Sequence, residues 1–298
     1  MNTYNTFIIE TLTNMHVGSG DTHFGIVDNL IQRDPVTNVP VIHSSGIKGA
    51  LREYFEEAVK NSETTLTSLE LHELFGEPVD NKPELPANLK NGPGHLIFFE
   101  ASMLTLPLRS NQNVYYNCIS EDILLDYLQL LKDFEKHDLD FSEIKDWLGK
   151  MVLSSHDFYY FNAASDLEIE DFTDGVKYAD VVSTTIKSFL STNCNIDIDH
   201  LAIFNKDIFN HICQSSIPVV ARNQIKSDGT SGNLFYEEIL PRKTKLYFIL
   251  GYDSYLMQTG KLPLKVKFDN EFKKGGNIYQ FGANYSIGYG FSKIGNII

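Results

Sequence analysis

The residues of this chain that could do chemistry begin in one early stretch. His16 opens a loop broken by Gly18 and Gly20, and the carboxylate of Asp28 follows in an apolar context. A histidine titrates near neutrality and can donate a proton, and a carboxylate can accept one or bind Mg²⁺. Both residues also have a structural interpretation, because a histidine can organise a loop by bonding to backbone, and an aspartate can bond to turn amides. The residue types alone leave both interpretations open.

A second group of candidates lies at the start of a predicted helix. Ser44-Ser45-Gly46 opens this helix, and either serine could cap its exposed N–H groups. A helix start offers free N–H groups and a positive dipole end to a phosphate. Lys48 and Arg52 are four residues apart and therefore lie on the same helical face. An ordinary capped helix with exposed cations would contain the same residues.

A third group belongs to a predicted β-hairpin at 218–238, whose turn has Asp-Gly at its centre. Arg222 and Lys226 lie towards its beginning, and Glu237 and Glu238 close it. Because neighbouring strand residues face opposite sides of a sheet, at most one of the two glutamates would face a ligand. The alternative is an edge-strand charge that deters aggregation.

The last candidates are three glycines of the C-terminal loop, Gly282, Gly288 and Gly290. A backbone without Cβ atoms can approach a ribose or a phosphate closely. A glycine-rich turn is weak evidence by itself.

These candidates need elements that position them, and the apolar patterns predict an alternation of strands and helices. Strands are predicted at 4–13, 26–33, 39–42, 96–106, 245–251 and 262–268, helices at 44–58, 66–75, 120–150 and 199–215, and short strands and loops at 151–185. The first helix would bury a face at three- and four-residue spacing: Ile47, Leu51, Tyr54, Phe55 and Ala58. The pattern predicts an α+β domain whose sheet carries helices on one side.

The composition is that of an ordinary globular protein. The chain has 298 residues, of which 42% are hydrophobic and 21% charged, enough for one large domain or two small ones. No apolar run approaches the ~18–20 residues that span a membrane, and the N-terminus lacks the features of a secretory signal. The three cysteines are far apart and form no CxxC pair. A reducing, cytoplasmic setting without a disulfide framework or a zinc site is therefore expected.

The net charge of −14 argues against a nucleic-acid partner at first sight, but the charge is unevenly distributed. Residues 218–298 carry eleven basic and six acidic side chains, whereas residues 1–217 carry fourteen and thirty-three. Charges beyond a Debye length of ~8–10 Å are largely screened, so an electrostatic footprint is local. The C-terminal third could hold phosphate while the middle repels it; solvated lysine-rich strands are the alternative.

Five segments, in the same order, resemble the RAMP superfamily of CRISPR proteins, and within it the repeated backbone subunit of the type III-B (Cmr) effector. The segments are HVGSG (16–20), GIVDNLIQRD (25–34), VPVIHSSGIKGALR (39–52), ARNQIKSDGTSGNLFYEEILP (221–241) and QFGANYSIGYGF (280–291). Residues 60–215 match only loosely.

The resemblance implies a ferredoxin-like (RRM-like) βαββαβ core in a single domain over residues 1–298. Insertions or helical parts would occupy 60–95 and 110–215, and the 218–238 hairpin would protrude as a thumb. Copies of the chain would stack along a guide RNA (crRNA) together with other CRISPR effector subunits and the target RNA, with no membrane partner.

The resemblance also implies site roles. Asp28 would cut target RNA at regular intervals and bind Mg²⁺ or Mn²⁺, with His16 and Glu237 or Glu238 as further catalytic groups. The implied RNA-binding residues are Gly18, Ser44, Ser45, Lys48, Arg52, Arg222, Lys226, Gly282, Gly288 and Gly290. Ala283 and Ser286 depart from the family pattern, in which glycine and threonine are usual.

Two other functions within the same family remain open at this point. One is a catalytically silent backbone subunit that holds guide and target RNA for another subunit. The other is a metal-independent endonuclease that processes crRNA as a single copy, with His16 as general base. An unrelated small-molecule enzyme comes last, because the chain has no dinucleotide-binding or Walker pattern.

Overall fold

The computed structural model describes residues 2–20, 27–76, 92–134, 140–225, 227, 229–274 and 276–296. Over these residues the chain forms thirteen strands and seven α-helices. The strands are β1 (Thr3–Thr11), β2 (Val41–Ile42), β3 (Leu96–Phe98), β4 (Ala101–Leu108), β5 (Tyr116–Ser120), β6 (Phe158–Tyr160), β7 (Gly175–Lys177), β8 (Leu201–Phe204), β9 (Val219–Ile225), β10 (Ser231–Glu238), β11 (Lys245–Tyr252), β12 (Tyr279–Gln280) and β13 (Phe291–Asn296). The helices are α1 (Ser44–Lys60), α2 (Ser68–Phe75), α3 (Glu121–Phe134), α4 (Ser142–Gly149), α5 (Thr184–Asn193), α6 (Lys206–Ser215) and α7 (Leu262–Phe272).

Eleven of these strands form one mixed sheet, in the order β12-β13-β1-β11-β4-β5-β8-β6-β7, with β2 paired to β4 and β3 paired to β11. Neighbouring strands are antiparallel except in the β5–β8 and β6–β7 pairs. β1 pairs with β11 from Thr3↔Tyr252 to Glu10↔Lys245. The chain therefore leaves β1, towards His16, at the end of the sheet where β11 begins.

Both faces of the sheet are covered by helices. Phe7 and Ile9 of β1 belong to a core that includes Phe55 of α1 and Phe268 of α7. Ile8, between them, faces a second core that contains buried side chains of α3, α4 and α5. The prediction of helices on one side was wrong, because β1 and its neighbours are apolar on both faces, and both must be buried.

The first helix follows its predicted face, since Ile47, Leu51, Phe55 and Ala58 are buried. Its start differs from the expectation. His43 is the N-cap residue and makes no side-chain cap bond, so neither Ser44 nor Ser45 caps the helix. Both serines lie within the first turn and are exposed. By contrast α2 has a full capping box, in which Thr67 and Glu70 bond reciprocally.

Residues 27–33 do not form the predicted strand. They make isolated bridges to three different places, which join Ile31 to Gly18, Arg33 to Pro40, and Asn29 to Glu237. The backbone hydrogen bonds of this segment are divided among these three neighbours, so no continuous ladder develops.

Two further predictions were wrong in type. Residues 262–268 begin α7, in which Leu264, Phe268 and Phe272 are buried at four-residue spacing and a proline occupies the first turn. The predicted helix at 199–215 is instead β8 followed by α6, because Leu201–Phe204 is a fully buried run. Asn205 then accepts hydrogen bonds from the N–H groups of Asp207 and Ile208 and starts the helix.

Other predictions were right in type but wrong in extent. The predicted 96–106 strand is divided into β3 and β4, which pair with successive parts of β11. The 120–150 region is two helices, α3 and α4. Short strands do occur in 151–185 (β6 and β7), and α5, which no pattern predicted, begins at Thr184.

The predicted hairpin is present as β9 and β10, which form a two-stranded sheet of their own. Within the described residues, none of the helices combines the length and the apolar character needed to cross a membrane. The three cysteines are buried and free. Burial raises the pKa of the Cys213 thiol to about 12 and raises the pKa values of Cys118 and Cys194 as well.

Candidate active site at the base of the hairpin

The segment after the first loop is held against the outer edge of β10. The backbone N–H groups of Asp28 and Asn29 donate to the carbonyl of Tyr236, at 3.0 and 3.1 Å. The N–H of Glu238 donates back to the carbonyl of Asn29 at 2.9 Å. β10 is thus flanked by β9 on one side and by residues 28–29 on the other, which fixes the position of Asp28.

The Asp28 side chain is exposed at this edge. Its Oδ2 accepts a hydrogen bond from the Tyr236 N–H at 2.7 Å. In the described part of the chain its other oxygen makes no hydrogen bond. Asp28 therefore does bond to backbone, as its structural interpretation supposed, but to the hairpin instead of the following turn. One oxygen remains available to a ligand.

Glu237 is buried on one side of the hairpin end, with 3% of its surface exposed. Its carboxylate accepts hydrogen bonds from Arg222 at 3.0 Å and from the side-chain amide of Asn284 at 3.0 and 3.2 Å. The Nε2 atom of His16 lies 3.7 Å away. These partners come from β9, the first loop and the C-terminal loop, so Glu237 holds three segments together.

Glu238 is buried on the opposite side, with 7% exposed. Its carboxylate accepts from Arg33 Nη2 at 3.1 Å and from the Ile31 N–H at 3.2 Å. Arg33 also donates to the carbonyl of Asn38 at 3.1 Å. The two glutamates face opposite sides of the strand, as expected, but neither is an exposed edge charge.

His16 connects the two glutamates, and its ring is buried. Its Nδ1 lies 2.7 Å from the backbone carbonyl of Glu238. Because a carbonyl only accepts, Nδ1 must carry the proton, and Nε2 faces the Glu237 carboxylate. This arrangement holds the loop after β1 against the hairpin end.

The glycines of these loops make room for the chain itself. A Cβ on Gly282 would lie 2.2 Å from the His16 carbonyl oxygen, and one on Gly290 would lie 2.0 Å from that of Phe281. A Cβ on Gly18 would lie 3.0 Å from the His16 ring. Of the four candidate glycines, only Gly288 would point a Cβ into open space.

Gln32, which the sequence analysis did not single out, joins the first loop to the start of α1. Its Nε2 donates to the Gly18 carbonyl at 3.1 Å, and its Oε1 accepts from the His43 N–H at 2.8 Å. Arg33 and Asn284 were also missed. All three lie in the segments that carry the family resemblance, and this was the signal that could have identified them.

At the start of α1, Ser44 and Ser45 are exposed and Lys48 is half-buried. Burial, together with the nearby Arg52, lowers the pKa of Lys48. Arg52 is not a free cation, because it donates to Glu56 at 2.8 Å and to the Gly76 carbonyl at 2.6 Å. Of the predicted group, the two serines and Lys48 remain available to a phosphate.

On the hairpin, Arg222 is committed to Glu237 and also lies over the rings of Phe235 and Tyr289, at 5.3 and 5.9 Å. Lys226 lies outside the described residues. The exposed face of the hairpin is instead apolar, with Leu234 and Tyr236 on one side of β10.

The residues fit a metal ion only in part. No group of three or more His, Cys, Asp or Glu side chains is placed to hold a metal among the residues described. Glu237 and Glu238 are buried and already paired, which leaves the free oxygen of Asp28. Mg²⁺ is often bound by one or two carboxylates together with substrate phosphates, and Asp28 fits that shared mode.

The sequence comparisons identify a family and two relatives. The family model described as the RAMP superfamily matches residues 8–293. A Pyrococcus furiosus protein named CRISPR system Cmr endoribonuclease Cmr4 is 27% identical over 299 residues, which cover 95% of this chain and 92% of that protein. CRISPR system Cms endoribonuclease Csm3 of Streptococcus thermophilus is 30% identical over 95 residues, or 30% of this chain and 39% of that protein.

The structure comparisons agree on the fold. A chain of a type III-B Cmr-beta complex bound to cognate target RNA matches with a TM-score of 0.73 and 17% identity, over 99% of this chain and 97% of that one. Oligomeric Cmr4 from Pyrococcus furiosus matches with a TM-score of 0.66 and 19% identity, over 100% and 98%. The mixed sheet with helices on both faces is therefore a known architecture.

Proposed function

Because the chain belongs to the RAMP superfamily, we propose that it is the crRNA-binding backbone subunit of a type III-B CRISPR effector and cuts the target RNA paired to the guide. The likeness over almost the whole chain to a protein named as a Cmr endoribonuclease supports this function. The observation that carries the cleavage role is the exposed Asp28 carboxylate, fixed at the base of the hairpin with one oxygen free.

We propose further that the chain is a single domain built on a ferredoxin-like core. The order β13-β1-β11-β4, with α1 after β1 and α7 after β11, supports this assignment. Residues 60–95 and 110–215 would be insertions. The second of these carries the second core of the molecule.

Cleavage would use the 2′-OH of the target RNA as nucleophile on the adjacent phosphorus. Asp28 would accept the 2′-OH proton as the new P–O bond forms, and the bond to the 5′-oxygen would break with that oxygen taking a proton from water. Asp28 is the residue that would hold a divalent ion, which would supply neutralisation of the charge on the phosphorane. The fixed backbone contacts of residues 28–29 keep the carboxylate in place.

His16, Glu237 and Glu238 would act by positioning. Both ring nitrogens of His16 face the two glutamates, and both carboxylates are occupied by arginine, asparagine or backbone donors. This network secures the loop on which Gly18 lies and the strand to which Asp28 is bound. A direct proton transfer by His16 is less well supported, because its ring is buried.

The hairpin would serve as the thumb that opens one base step between guide and target. Its exposed apolar side chains Val219, Leu234 and Tyr236 are suited to contact an unstacked base. Unstacking costs a few kcal/mol, which such contacts would have to offset. The start of α1, with Ser44, Ser45 and Lys48, would hold the guide backbone.

The acidic total is compatible with this function. A subunit repeated along an RNA needs positive charge only where the RNA lies, and acidic outer surfaces limit unspecific RNA binding. The partners would be crRNA, target RNA, further copies of the chain and the other effector subunits.

The test is target cleavage by the assembled complex, co-expressed with its guide RNA and companion subunits. Asp28→Asn should reduce the cleavage rate by about 10²-fold or more, the range lost with a general base, while guide RNA remains bound. The matched control is Asp146→Asn, which changes an exposed aspartate on α4. EDTA should stop cleavage by the unaltered complex.

Other outcomes distinguish the alternatives. Normal cutting by the Asp28→Asn complex would remove Asp28 from its role. A complex that binds target RNA but never cuts it, with or without Mg²⁺, would indicate a silent backbone subunit. Cutting of free precursor crRNA by the isolated chain in EDTA would indicate a guide-processing enzyme.

A further inference from the structure

A polar cleft of about 420 Å³ lies apart from the candidate active site and shares no residue with it. Residues of β1, β5 and β11 contribute to its lining. Its lining residues are Glu10, Asn113, Val114, Tyr115, Asn117, Asn195, Asp197, His200 and Lys245. We call it the Lys245 cleft.

Lys245 is the unusual member of this lining. Only 4% of its surface is exposed, and its ammonium donates one hydrogen bond, to Asn117 Oδ1 at 3.0 Å. It forms no ion pair within the residues that the structure describes. A buried cation without a counter-ion is costly, and burial accordingly lowers the pKa of Lys245.

The carboxylate opposite Lys245 in the sheet already has two hydrogen-bond donors. Glu10 lies opposite Lys245 in the β1–β11 pair, but its Oε1 accepts from Lys243 and its Oε2 from Asn195, each at 2.8 Å. The other carboxylate of the cleft, Asp197, lies 3.2 Å from His200 and also accepts from a backbone N–H at 3.1 Å. Both acidic groups thus have partners, and Lys245 is left without one.

The unused donors of the cleft belong to two buried side chains. A lysine ammonium has three N–H donors, so two remain after the bond to Asn117. Asn117 is 5% exposed and accepts through Oδ1, which leaves its NH₂ group as a donor. Over the described residues this NH₂ group has no acceptor. An anion in the cleft would give acceptors to both donor groups.

We infer that the Lys245 cleft binds a phosphate group carried by a ligand of about nucleotide size. A phosphate offers several acceptor oxygens to the ammonium and the amide. The volume exceeds that of a bare anion, and Tyr115, Val114 and His200 on the rim offer surface to a ribose or a base. The phosphate could belong to a free nucleotide or to an RNA strand, because both present the same phosphate oxygens to Lys245 and Asn117.

The test measures binding to the purified chain by calorimetry and by ligand-induced thermal shift, with three probes: inorganic phosphate, AMP and a short single-stranded RNA. AMP should bind saturably and raise the Tm. Lys245→Met, which keeps an unbranched side chain one atom shorter and removes the charge, should weaken AMP binding by about tenfold or more. Lys150→Met, at an exposed position beyond α4, is the control and should bind as the unaltered chain does.

A second variant keeps the inference falsifiable if Lys245→Met does not fold. Asn117→Asp preserves the shape, gives Lys245 a carboxylate partner and should repel the phosphate, again with about tenfold weaker binding or more. If both variants weaken the binding of AMP or phosphate, the ligand of the cleft is a free nucleotide or phosphate. If they weaken only the binding of RNA, the ligand is a phosphate of an RNA strand. Absence of saturable binding for all three probes, or unchanged binding by both variants, would overturn the inference.

Discussion

Three carboxylates lie close together at the end of the hairpin, and their exposure to solvent differs sharply. Glu237 and Glu238 are buried, and each is bound by an arginine and by further donors from distant parts of the chain. Asp28, bonded to the residue just before them on β10, is exposed and has one oxygen free. We call Glu237 and Glu238, with their partners at the foot of the hairpin, the buried base, and we call Asp28 the exposed edge.

This difference in burial distinguishes the carboxylates that stabilise the fold from the one that is available to a substrate. A buried carboxylate whose oxygens already accept hydrogen bonds is inaccessible to a substrate and contributes by holding segments together. An exposed carboxylate on a fixed backbone contributes little to stability and is available to a substrate. We therefore expect substitutions in the buried base to lower the free energy of unfolding, and substitutions at the exposed edge to lower activity alone.

The largest expected effect tests the buried base directly. Arg33→Met leaves the Glu238 carboxylate buried without its cation, and the free energy of unfolding should fall by about 3–5 kcal/mol in urea denaturation. Adding Glu238→Leu should recover most of the loss, since an apolar pair of similar volume has no charge to compensate. A single-variant loss below about 1 kcal/mol would mean that the pair is not important for the fold.

The next effect compares two glycines with almost the same backbone angle. Gly282 and Gly288 have φ of +81° and +82°, but only at Gly282 would a Cβ meet the His16 carbonyl, at 2.2 Å. Gly288→Ala should cost about 1–2 kcal/mol, the usual penalty of a left-handed conformation. Gly282→Ala should cost at least about 1 kcal/mol more, because the loop must also move. Equal losses in thermal unfolding would show that the contact between the two loops is not tight.

A smaller effect concerns the connection between the first loop and α1. Gln32→Met removes both hydrogen bonds of the side chain and leaves the His43 N–H and the Gly18 carbonyl without them, at a cost of about 1–2 kcal/mol. Hydrogen exchange of the His43 amide should become faster, because its acceptor is lost. Gln224→Met, at an exposed position on β9, is the control and should change neither quantity.

The sequence predicted the local features of this site better than its contacts. The hairpin and the opposite orientation of the two glutamates follow from turn residues and from the two-residue period of a strand. The pairing of Arg33 with Glu238 does not follow, because the two residues are far apart in sequence and their contact depends on the fold.

The errors in secondary structure have a similar cause. Residues 262–268 alternate apolar and polar side chains like a strand, and the helical spacing becomes visible only when Phe272 is included. The run at 201–204 is short and wholly apolar, so its period cannot distinguish a strand from a helix. In both places, packing against other elements of the core determined the secondary structure. The local sequence does not contain that information.

The smallest expected effect is at the exposed edge, and it completes the comparison. Asp28→Asn keeps an oxygen that can accept the Tyr236 N–H, and the side chain is exposed, so the free energy of unfolding should change by no more than about 0.5 kcal/mol. The same variant is expected to lose target cleavage. If Asp28→Asn loses cleavage but keeps its free energy of unfolding, the exposed edge is distinct from the buried base. Arg33→Met, by contrast, should lower the free energy of unfolding. If Asp28→Asn instead destabilised the chain as strongly as Arg33→Met, Asp28 would belong to the framework that holds the hairpin.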